Sequence, residues 1–129
     1  MIKTFTIDSD CFSNLAEFHD EVQRVLTDDF KRYGKNLDAF NDILRGGFNR
    51  FKYGENIKLI WKNSSKSKRD LDFPETVKYH KDNLTRVHPS NIDSAKKLLE
   101  EAEKSQGPTL FDIIIEIIQR NENVELILT

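Results

Sequence analysis

Cysteine, proline and glycine are scarce in this chain, with one, three and five copies among 129 residues. The lone Cys11 excludes an intrachain disulfide, and no Cys/His cluster has the paired spacing that a zinc site requires. A reducing compartment suits such a chain. Apolar runs are short as well, none approaching the roughly 20 residues of a membrane span. The N-terminal Met1-Ile2-Lys3-Thr4-Phe5-Thr6-Ile7 alternates and turns polar at once, without the apolar core of a signal peptide, so a cytoplasmic location is expected. Charge of one sign is not in excess either. The 20 basic and 22 acidic residues leave a formal charge of -2, which points neither to a general nucleic-acid binder nor to an acidic disordered chain. With 37% hydrophobic residues the length supports one core, and residues 1–129 are read as a single domain.

What is present is periodic. Ile2, Phe5 and Ile7 with intervening threonines predict a first strand. Leu15, Phe18, Val22, Val25 and Leu26 keep helical spacing behind a cap at Ser13 or Asn14, and Asp28 to Arg32 forms a loop. Gly34 is expected to take the positive φ of a tight turn, and Asn36 to cap a helix that ends near Arg45-Gly46-Gly47. A loop from Phe48 to Glu55 then leads to a strand, Ile57 to Trp61.

Residues 62–69, polar and rich in Ser and Lys, have no periodicity and are expected to be an exposed loop. Pro74 opens a helix running to about Val87, and Ser90 with Asp93 forms a capping box for the next. Gly107-Pro108-Thr109 precedes a last helix, Leu110 to Arg120, so apolar that only Glu116 would mark its exposed edge. Val124 to Thr129 closes the chain as a strand. Strands separated by long helical crossovers predict an α/β fold with parallel pairing.

The helix after Asn36 sorts its residues onto two sides. Leu37, Phe40, Ile43 and Leu44 form the apolar stripe, whereas Asp38, Asp42 and Arg45 fall at i, i+4 and i+7 on another side. The run Tyr33-Gly34-Lys35-Asn36-Leu37-Asp38-Ala39-Phe40-Asn41-Asp42 resembles the hallmark of the barstar-like inhibitors of bacterial ribonucleases, and Ile57 to Trp61 and Val124 to Thr129 resemble two of that family's strands. The resemblance spans roughly residues 1–61 and 107–129, leaving 62–106 as a helical insertion within the domain. It implies a small three-stranded parallel sheet covered by helices. It further implies a monomeric, non-enzymatic immunity protein that needs no cofactor or metal and binds a cognate ribonuclease or nuclease toxin. The partner-facing acids of the family match Asp38, Asp42 and, on the last helix, Glu116. Tyr33, Gly34, Asn36, Asn41, Arg45 and Gly46 complete the implied binding face.

Charge follows the same division. Residues 1–61 net -1, 62–106 net +2 and 107–129 net -3, so the two segments that carry the resemblance are the acidic ones. The chain also departs from the pattern. Arg32, Asn41, Arg45 and Gly47 stand where the best-known member has aromatic or hydroxyl contacts, and arginines facing a basic active site would repel it. Two outcomes are therefore expected as alternatives: specificity aimed at another nuclease, or loss of inhibitory activity with the fold retained. An alternative reading is an RNA-associated module using Lys66, Lys68 and Arg69, although no aromatics are interleaved there. Catalysis is not expected: His19 reads as a boundary residue of its helix, His80 and His88 lack an arranged nucleophile, and Cys11 reads as packed.

Overall fold

Alternation along three short strands decides which side of the sheet is packed. The computed structural model describes residues 2–28, 33–47 and 50–129. Strands β1 (Lys3–Asp8), β2 (Ile57–Lys62) and β3 (Val124–Leu128) form a parallel sheet in the order β1-β2-β3. Phe5, Leu59 and Leu126 stand in register, as do Ile7, Trp61 and Leu128. Ile7, Ile57, Leu59, Trp61 and Val124 are buried on this face, against the helices. Thr4, Thr6, Lys62 and Glu125 on the other face are exposed. Lys58 lies 3.9 Å from Glu125 there, and Lys62 lies 3.9 Å from Asp8.

The crossover from β1 to β2 contains α1 (Leu15–Leu26) and α2 (Leu37–Arg45). Asn14 is the cap of α1, its side chain accepting from the Glu17 N–H, while Glu17 returns a bond to the Ser13 N–H at 2.9 Å. The crossover from β2 to β3 contains α3 (Ser64–Asp70), α4 (Phe73–Leu84), α5 (Ile92–Glu103) and α6 (Leu110–Gln119). Aromatic rings bind the layers together: Phe18 stacks on Trp61 at 5.5 Å and meets Phe40 edge-on at 5.3 Å, and Phe111 approaches Trp61 at 5.3 Å.

The segment expected to be a loop is largely the helix α3. Asn63 takes a left-handed conformation (φ 55°) that turns the chain off β2, and Lys66 pairs with Asp70 at 2.6 Å along the new helix. Its inward residues are Ser67 and, just past its end, Leu71, both fully buried. Trp61 Nε1–H donates to Ser9 Oγ at 2.8 Å and to Ser67 Oγ at 3.0 Å, so a serine supplies what the indole needs.

Two further expectations are corrected. Asp72 caps α4, which ends at Leu84 instead of Val87, and no Ser90 capping box forms: the Ser90 N–H donates to His88 Nδ1 in a 3-10 turn before α5. Thr109 and Asp112 form the capping box of α6. Residues 62–106 also divide in two. Thr76 Oγ1 accepts from the Leu110 N–H at 2.7 Å and Glu75 Oε2 from the Leu15 N–H at 2.9 Å, which makes α4 part of the main body. By contrast α5 packs chiefly along α4.

Candidate functional site

Asn36 Oδ1 accepts the Ala39 N–H at 2.7 Å, fixing the start of α2. The left-handed residue before it is Lys35 (φ 53°), not Gly34 as the sequence predicts. A Cβ at Gly34 would stand 3.3 Å from Asn36 Nδ2, a tight approach to the capping side chain. Leu37, Phe40, Ile43 and Leu44 are buried, and Asp38, Asp42 and Arg45 are exposed. Arg45 lies 4.0 Å from Asp42 and offsets part of its charge.

Gly46 terminates the helix at φ 82°, ψ -171°, a conformation that costs a residue with a side chain heavily. A Cβ there would meet Lys52 O at 2.3 Å. The Gly54 N–H donates to Arg45 O at 2.7 Å and the Gly47 N–H to Phe51 O at 3.0 Å, sealing the end of α2. Arg32, one of the noted departures, lies outside the described residues.

On α6, Leu110, Phe111, Ile114, Ile117 and Ile118 turn inward, and Asp112, Glu116, Gln119 and Arg120 are exposed. This helix packs beside α2. Asn121 Nδ2, just past its end, donates to Asn41 Oδ1 and to Ile117 O, both at 2.9 Å. Asn123 Nδ2 donates to Leu44 O at 3.0 Å and to Glu55 O at 3.1 Å. The exposed acids Asp38, Asp42 and Glu116 thus stand on two neighbouring helices held by side-chain amides. Asn41, expected at the binding face, directs its amide oxygen to this internal bond.

Tyr33 lies behind the face, 7% exposed, its hydroxyl hydrogen-bonded to His19 Nδ1. His19 is 3% exposed, so it is a core residue and not the boundary residue that the helical stripe predicts. Burial lowers its pKa from 6.5 to about 4, keeping the ring neutral near pH 7, and raises that of the Tyr33 phenol. His80, also buried, is shifted downward for the same reason.

Cys11 is exposed, against the expectation that it packs. Lys66 is drawn inward: its Nζ donates to Phe12 O at 2.8 Å as well as to Asp70, which removes one cation from the basic surface of the RNA reading. Among the described residues no three His, Cys, Asp or Glu side chains gather as a metal site, and no helix is long and apolar enough to cross a membrane.

The model of one protein family, described as Barstar (barnase inhibitor), matches residues 2–78. The match covers β1, α1, α2, β2 and α3 and ends within α4, past the boundary at residue 61 drawn from the sequence. No curated protein matches the chain.

Proposed function

The chain belongs to the barstar family, and on that basis we propose that it is a non-enzymatic inhibitor of a bacterial ribonuclease or nuclease toxin, acting as an immunity protein in the cytoplasm. Asp38 and Asp42 on α2 and Glu116 on α6 are its contact acids. The observation that carries this reading is their common exposure on two helices joined through Asn41 and Asn121.

The mechanism requires no reaction. A ribonuclease gathers basic side chains around the phosphate it cleaves, and carboxylates on a rigid scaffold can occupy that place. Helical positions are ordered before contact, so little entropy is lost in presenting them. Opposite charge accelerates encounter and makes it sensitive to salt, and desolvated charge pairs then slow dissociation. Asn36, Gly46 and Tyr33 support the face from its edges and from beneath. Arg45 beside Asp42, with Asn41 turned to Asn121, gives the surface a selectivity of its own, for a nuclease whose rim tolerates a guanidinium. One chain meets one enzyme, and neither nucleic acid nor a cofactor takes part.

The test is a titration of ribonuclease activity, using barnase and the nuclease retained by immobilised wild type from the source cells. Wild type is expected to abolish activity of at least one of them at a one-to-one ratio. The Asp38→Ala/Asp42→Ala/Glu116→Ala protein should bind roughly a hundredfold more weakly or worse. Equal inhibition by both proteins, or inhibition of neither enzyme by wild type, overturns the proposal.

A further inference from the structure

A hollow of about 390 Å³ opens where α4, α5 and the approach to α6 meet. Its volume lies within the range of ordinary small-molecule sites. Every residue that lines it, from Tyr79 to Ile113, lies beyond the segment matched by the family model, and Asp38, Asp42 and Glu116 are not among them. The hollow therefore belongs to the part of the chain outside that match and stands apart from the acidic face. Side-chain size explains why it stays open. Ala95 and Ala102 are buried on α5, so Ala95 fills little of the space beside α4, and Leu98 between them is 43% exposed at the rim. Val87, Pro108 and Ile113 complete the apolar walls.

Charge is absent from the lining. Among the described residues no lysine, arginine, aspartate or glutamate borders the hollow; its polar groups are those of Tyr79, His80, Asn83, Asn91 and Ser94, whose side chains make no hydrogen bond to one another or to the rest of the described protein. His80 is 6% exposed, and its ring nitrogens lack a partner without being sealed from solvent as Nε2 of His19 is. Burial lowers its pKa against the opposing influence of Glu101, which does not line the hollow, so the imidazole is neutral near pH 7. A neutral imidazole and a carboxamide each donate and accept. An ion placed here would be desolvated without a counter-charge, and an uncharged molecule would not.

The surroundings favour a small molecule over a protein surface. Leu98 is the one exposed large hydrophobic side chain of α4 and α5, and its neighbours Lys96, Lys97 and Glu100 are exposed charges, so the apolar surface ends at the rim. A protein interface of roughly 800 Å² per partner would have to cover those charges, whereas a molecule the size of a ring would not. Ring contacts suit the α4 wall, where the Tyr79 and His80 rings lie 5.3 Å apart at 53°.

We propose that this hollow binds a small, uncharged aromatic molecule carrying an amide or another group that both donates and accepts hydrogen bonds: the ring lies against Leu98, Pro108 and Ile113, and the polar group meets His80 and Asn83. The site does not depend on the inhibitor reading. Helix α5, which packs chiefly along α4, thereby acquires a role as one wall of a ligand site.

Benzamide, benzoate and benzamidine share a shape and differ in charge, being neutral, negative and positive, which makes them the probes. Each is titrated into the full chain while backbone amide signals are followed by NMR. Benzamide should shift the signals of Asn83, Val87 and Leu98 saturably, at a midpoint about fivefold or more below that of either charged molecule. Leu98→Glu, at an exposed position that the fold does not depend on, removes an apolar wall and sets a carboxylate at the rim; it should raise the benzamide midpoint about threefold or more. Leu128→Glu, on β3 and similarly exposed at 48%, should leave it unchanged. Absence of a saturable shift, shifts confined to other residues, a charged molecule that binds as well, or indifference to Leu98→Glu overturns the site. Failure of wild type to inhibit a nuclease would overturn the inhibitor reading alone, because no nuclease enters this titration.

Discussion

Asn121 Nδ2 donates to Asn41 Oδ1 at 2.9 Å, joining residues 80 positions apart in the chain and fixing α6 beside α2. Asn121 is buried, and the same nitrogen bonds Ile117 O. Asn121→Ala is therefore expected to cost about 1–3 kcal/mol, by losing both bonds and leaving a cavity, and Asn41→Ala about 1 kcal/mol. Urea unfolding checks this: the midpoint should fall with the slope unchanged, and further for Asn121→Ala.

Gly46→Ala should be more damaging than its size suggests. The added carbon would stand 2.3 Å from Lys52 O on a backbone at φ 82°, ψ -171°, and relief would require the chain at Lys52 to move. A loss of about 2 kcal/mol or more is expected by thermal or urea unfolding. Gly54→Ala makes a useful comparison, because no atom lies within 4 Å of a Cβ built there and only the backbone penalty at φ 74° remains.

His19 makes stability depend on pH in a defined direction. Its pKa falls from 6.5 to about 4 on burial, so between those values the unfolded chain holds more of this proton than the folded one. The contribution is complete above pH 6.5, declines as the pH falls towards 4, and is lost below that. Over this window His19 should account for a loss on the order of 3 kcal/mol, read as the difference in pH slope between wild type and His19→Gln. Parallel slopes would refute the shift. His80, lowered in the same direction, stays in both proteins and cancels.

Local pattern carried the α2 region. The cap at Asn36, the buried stripe from Leu37 to Leu44 and the outward Asp38 and Asp42 all follow from spacing within ten residues, and the structure reproduces each. The stop at Gly46 was legible for the same reason. What escaped depends on partners distant in the chain. Helix α3 has no apolar stripe to detect, because its inward position is Ser67, and the need for a hydroxyl there appears only when Trp61 and Ser9 arrive. His19 reads as marginal beside Phe18 until Tyr33 covers its Nδ1. Asn41 reads as a surface residue because nothing near it in sequence points to Asn121. Gly34 shows a different failure: turn propensity placed the positive φ there, but Lys35 takes it.

The strands lie side by side in the order in which they are synthesised, yet each pairing spans a long crossover, from Lys3 to Ile57 and from Ile57 to Val124. During translation β1 and β2 can meet while β3 is still to be made, but α6 and the Asn121 clamp come with the final stretch. A nascent chain therefore displays Asp38 and Asp42 before Glu116 exists beside them. Contacts between such remote segments slow folding, because a large loop must close before its pairings contribute. On the inhibitor reading proposed above, the interval between synthesis and protection then includes the time needed to complete α6 and β3.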